Sequence, residues 1–166
     1  MKYGKAPQAS GVMSIILLFA MISSAIMLGG CSSKTNSEVG YANDEFGFTL
    51  VMPRSFMNDI DIKETGDAVY FVNQEIQATL PEHIMGVVGR IEVYDKGEFT
   101  RENLKENEES YSLRYLGENE RYYFGWAHAT DVQVPIEASE ALKERCRAME
   151  KEFNEIIKTF KITDIS

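Results

Sequence analysis

Apolar positions in this chain recur in two rhythms. Phe46, Phe48, Leu50 and Met52 alternate with Gly47, Thr49 and Val51 until Pro53, a spacing of two that predicts a half-buried strand ended by proline. Residues 68–73 and 87–94 are apolar or β-branched runs, which suit strands buried on both faces. Between them, 74–85 contains Pro81 and reads as a loop. A short, mostly solvated helix is expected from Glu98 or Thr100 to Glu108, anchored by Phe99 and Leu104. Residues 111–116 and 121–130 read as two aromatic-rich strands joined by Gly117-Glu118-Asn119-Glu120, a four-residue hairpin loop.

The rhythm then changes to three and four. Leu142, Cys146, Met149, Phe153, Ile156 or Ile157, and Phe160 lie on one side of charged residues, predicting an amphipathic helix with Pro135 or Ser139 at its start. At roughly 1.5 to 3 kcal/mol per large buried side chain, this stripe is worth on the order of 10 kcal/mol before entropy. It is too short to favour a coiled coil, so packing on a sheet is expected. The order strand, strand, strand, helix, strand, strand, helix is dominated by hairpins. It predicts an α+β domain with a largely antiparallel sheet packed with helices, occupying 43–162.

The first 30 residues are a different material. They hold Lys2 and Lys5, no Asp or Glu, and an apolar run at 12–28 broken only by Ser14, Ser23 and Ser24. A basic start, an apolar centre and small residues at the exit form a secretory signal peptide, 1–30. Seventeen residues is also the lower limit for a membrane span. The end of the run, Leu28-Gly29-Gly30-Cys31, favours the signal peptide, because it resembles a bacterial lipobox in which the cysteine thiol receives the lipid. Residues 31–42 are then the lipidated cysteine and a tether, small and polar over 32–39. The expected location is the extracytoplasmic face of the cell membrane, held by palmitate-type chains on Cys31.

Charge and cysteine usage agree with this division. All 26 acids of the chain follow residue 30, against the 15 remaining bases, so the exported part carries −11. That excludes nucleic acid as an expected partner. With Cys31 acylated, Cys146 is the one thiol left, no internal disulfide is available, and its place on the helical stripe makes it a buried structural residue.

The strand FGFTLVMP, the segment RIEVYDKGEF, the hairpin YLGENERYYFGWAHATDVQ and the closing helix ending in IIKTFKI together resemble uncharacterised lipoproteins of Gram-positive, clostridia-type bacteria whose domain is similar to PsbP-like α/β/α sandwiches. The resemblance spans most of 46–162. It implies a fold and a compartment, and it transfers no active-site residues.

Candidate chemistry is sparse. The two histidines are His83 and His128, and no HExxH, CxxC, GxSxG, P-loop or GxGxxG is present. No catalytic residue, metal ligand set or cofactor is therefore assigned. On the hairpin, Tyr122, Phe124, Trp126 and His128 share one face, and Tyr123, Ala127 and Ala129 the other. Tyr122, Trp126, His128 and Arg121 would form a stacking and hydrogen-bonding platform for a sugar, peptide or cell-wall fragment. The alternative is that these aromatics are core beneath a helix. Asp131 reads as a turn residue. The acid-rich run 98–120 reads as a solvated face, because Arg101, Lys105 and Arg114 interleave with it.

The expected function is a non-catalytic binding or assembly module in the envelope, its partner an envelope protein or small ligand. The competing expectation is an envelope hydrolase using a carboxylate pair. A third is an accessory subunit of a membrane complex.

Overall fold

A computed structural model describes residues 37–79, 81–111, 113–127 and 134–163, all within the unit 36–166. In chain order the elements are β1 (Glu38–Asn43), β2 (Phe48–Pro53), α1 (Arg54–Asn58), β3 (Ile60–Glu64), β4 (Ala68–Asn73) and α2 (Gln74–Gln77). They continue with β5 (Val87–Asp95), α3 (Arg101–Tyr111), β6 (Arg114–Glu118), β7 (Tyr122–Ala127), α4 (Glu140–Ile156), a 3-10 turn (Ile157–Thr159) and β8 (Lys161–Ile162). The domain is α+β with antiparallel pairing throughout these strands and a long C-terminal helix.

The strands form two sheets where the sequence pattern suggested one. β1-β2-β8 is three-stranded, and β3-β4-β5-β7-β6 is five-stranded. In β2, period two places Phe48, Leu50 and Met52 inside, each 0% exposed, with Thr49 and Val51 outward. β4 is buried at every position but Tyr70, as expected of a strand covered on both faces.

The main core lies between the inner face of the five-stranded sheet, β2, α1 and α4. Val69, Phe71, Ile91, Val93 and Phe124 meet Phe56 of α1 and Met149, Phe153 and Ile156 of α4. Ser139 caps α4, its hydroxyl accepting from Leu142 N at 3.2 Å. On the other face of the sheet, α3 inserts Leu104 among Leu113, Ala127, Tyr94, Tyr115 and Tyr123. The layers are therefore α3, the five-stranded sheet, and then α4 with the smaller sheet.

Several elements differ from the sequence pattern. β1 begins at Glu38, inside the stretch read as tether. The first four residues of the expected loop 74–85 form α2, because the Asn73 side chain accepts from Ile76 N at 3.0 Å and supplies an N-cap. Tyr111 ends α3 rather than opening the hairpin, whose first strand starts at Arg114. The strand β3 and the helix α1 lie where no element was expected, and the segment IIKTFKI, read as the end of the final helix, instead leaves it through the 3-10 turn into β8.

Candidate functional site

The hairpin separates Arg121 from Tyr122 and Trp126. Tyr122 and Trp126 are 7% and 9% exposed and belong to the main core. Tyr122 meets Phe46 edge-on with ring centroids 5.5 Å apart. Their flat faces are thus spent on packing. Arg121 is exposed at the turn, its guanidinium 5.0 Å above the Tyr122 ring and its Nε 3.6 Å from Asp95 Oδ2. His128 and Asp131 lie outside the described residues, as do Leu28, Gly29, Gly30 and Cys31.

A polar depression of about 290 Å³ opens where α1, α2 and α4 meet, lined by Asp59, Asn73, Gln74, Glu75 and Arg145. Arg145 stands between the two acids, Nη2 at 2.7 Å from Asp59 and Nη1 at 3.6 Å from Glu75. The hydrogen bond it donates to Asp59 holds the guanidinium even more firmly protonated than usual. Asn73 is 1% exposed, with its amide nitrogen directed at Met149 Sδ, 3.2 Å away, and Gln74 donates to Ile60 O at 2.9 Å. The arrangement joins three helices to the sheet edge. Two carboxylates flanking one guanidinium form an ion-pair joint between the helices.

The outer sheet face carries tyrosines, of which Tyr70, Tyr115 and Tyr123 each lie beside a cation that also faces a carboxylate. Arg101 lies 4.0 Å over Tyr115 and 2.7 Å from Glu108. Lys96 lies 4.8 Å over Tyr123 and 3.4 Å from Glu118. Arg90 lies 5.9 Å from the Tyr70 ring and pairs with Glu92, which also accepts from the Tyr94 hydroxyl. Cation–aromatic pairs of this kind contribute about 0.5 to 1 kcal/mol each when exposed. The period-two alternation of Tyr123 against Tyr122 and Phe124 is the sequence signal for this face, which was assigned no role there.

Cys146 is 2% exposed, and burial pushes its thiol up, with Glu150 adding to the effect. It is a packing residue of α4. Among the described residues no group of three or more His, Cys, Asp or Glu is placed to hold a metal ion, and no helix is long and apolar enough to cross a membrane. Comparison with known proteins gives no match of this chain to a protein family, a curated protein or a solved structure.

Proposed function

We propose that this chain is exported, acylated on Cys31 and held on the extracytoplasmic face of the cell membrane, where its domain serves as a binding or assembly module for an envelope protein or small ligand. The observation that carries this reading is the sequence Leu28-Gly29-Gly30-Cys31 at the end of the apolar run 12–28. One acyl chain gives marginal membrane binding and two give stable anchoring, because each buried methylene contributes about 0.8 kcal/mol. For a binding role over hydrolysis, the support is the use made of nearby acids: Asp59 and Glu75 are both committed to Arg145. A PsbP-like character of the domain belongs to the same reading, supported by helices on both faces of an antiparallel sheet.

Growth with a labelled fatty acid tests the anchor. The wild-type chain takes up label and fractionates with membranes, and Cys31→Ser does neither. Equal labelling of the two chains overturns the assignment. Crosslinking on intact cells, followed by identification of what is joined to the domain, tests the binding role.

A further inference from the structure

We propose that the domain stands on the membrane in one orientation, with the end that carries Ser37, α1 and α2 against the lipid headgroups and the opposite turns pointing away. This rests on acylation of Cys31.

Hydrogen bonds define the two ends. At the first, Arg54 N donates to Ser37 O at 2.9 Å and Arg54 Nε to Ser37 Oγ at 3.0 Å. Gln74 N donates to Asp59 O at 3.1 Å, and Asn73 N to Gly86 O at 2.8 Å. This fastens the beginnings of β1, α1 and α2 together. At the second end, Asn119 Nδ2 donates to Phe46 O at 2.8 Å. Lys96 N donates to Arg121 O at 2.9 Å, and Val93 N to Asp67 O at 2.8 Å. The turns after β1, β3, β5 and β6 are thereby gathered at that end.

The chain leaves the domain at the first end, at a fixed point. Ser37 is six steps from Cys31, a reach of at most about 21 Å when fully extended. β5, of nine residues, runs between the ends and spans about 30 Å. The lipid can therefore touch the Ser37 end without stretching the tether, whereas the far end is separated from Ser37 by more than the whole tether.

Charge acts in the same direction. Asp44, Glu45, Asp67, Asp95, Glu98 and Glu120 crowd the far turns, where the bases Lys96 and Arg121 are already engaged by Glu118 and Asp95. An anionic leaflet repels such an end within a Debye length, about 8 Å at physiological salt. The near end also carries acids, Glu38 beside Ser37 and Asp59 and Glu75 flanking Arg145, but α1 has none and exposes Arg54, Ser55 and Asn58. Within the near end, α1 is the acid-free surface that fits a headgroup layer.

The test uses the full acylated protein in phosphatidylcholine vesicles containing a minority of phosphatidylglycerol. An environment-sensitive fluorophore is attached to Ser55→Cys or, separately, to Glu120→Cys, both exposed positions, with buried Cys146 left in place. Quenching by headgroup nitroxide lipid is expected to be severalfold stronger at position 55 than at 120, and a long Gly/Ser insertion after Lys34 should erase the difference. Equal quenching, or stronger quenching at 120, in protein that still floats with the vesicles overturns the orientation while leaving the anchor intact. Flotation that is the same for wild type and Cys31→Ser removes the acylation reading itself, and the orientation with it.

Discussion

Phe153 covers Gly89 so closely that a Cβ on Gly89 would sit 2.1 Å from the ring's Cδ1. The missing side chain lets α4 settle onto β5, and the ring then packs against Phe71 at 4.9 Å and Phe56 at 6.2 Å between centroids. A glycine in a strand interior normally weakens the strand. Here it makes room for an apolar contact between helix and sheet.

Gly89→Ala is accordingly expected to destabilise the domain by about 1 to 3 kcal/mol through overpacking. Phe153→Ala should cost about 3 to 5 kcal/mol through the cavity it leaves. Because the two residues touch, the double variant should cost less than the sum. Urea unfolding followed by tryptophan fluorescence reads all three. A wild-type midpoint for Gly89→Ala would contradict the contact.

Asn119 joins the two sheets through one side chain. Its Oδ1 accepts from Tyr122 N at 2.8 Å and Arg121 N at 3.0 Å, while its Nδ2 reaches Phe46 O at 2.8 Å. Asn119→Ala leaves these backbone groups without their partner, at a cost of about 1 to 3 kcal/mol. Amide exchange should accelerate at Arg121 and Tyr122 before it changes in β4. Unchanged protection at those two amides would show that the bond contributes nothing.

Tyr41 supplies a pH dependence. Burial is the main cause that raises its pKa, opposed by the hydrogen bond from Asn43 and reinforced by Glu64, to which its hydroxyl donates at 2.7 Å. The ordinary tyrosine value is near 10. Above that pH the unfolded chain loses the phenol proton while the folded chain keeps it, so stability falls as pH rises past about 10 and the contribution is intact below it. Tyr41→Phe should flatten this alkaline slope, measured by urea midpoints across the range. Parallel slopes for the two chains would contradict the burial of the hydroxyl.

Cys146 should be inert in the folded domain, since burial both shields the thiol and keeps it protonated. In the Cys31→Ser background, an aromatic disulfide reagent at mildly alkaline pH is expected to react only as fast as the domain unfolds, and at once in denaturant. Rapid labelling of the native chain would place Cys146 at the surface.

The elements that were readable from sequence are those with long or strongly periodic apolar patterns. The stripe of α4 and the alternation in β2 both specify a buried face, so their type follows from spacing alone. β1 was hidden because Val39 and Tyr41 are its chief apolar residues and polar SSKTNS precedes it; β2 and the Tyr41–Glu64 bond hold it in place. β3 carried a usable signal in Ile60-Asp61-Ile62-Lys63, obscured by its five-residue length. α1 has a single fully buried anchor, Phe56, and β8 has two residues, so tertiary contacts define both. The proposed anchor rests on a local motif, Leu28-Gly29-Gly30-Cys31. The depression around Arg145 was not legible in the sequence, because Asp59, Glu75 and Arg145 are brought together by three helices far apart in sequence.

The pairing of Phe48 with Ile162 and Thr49 with Lys161 has a temporal consequence. The Thr159 hydroxyl extends this seam by receiving Val51 N at 2.8 Å, and Thr163 N closes it on Gly47 O at 3.0 Å. The second strand thus finds its edge partner only when the last strand is present, across a loop spanning nearly the whole domain. Such non-local pairing is slow to form, because the entropy of closing the loop is lost before the contact rewards it. A nascent chain lacking residues 159–163 leaves β2 with an open edge, so folding of the domain is completed by its last strand.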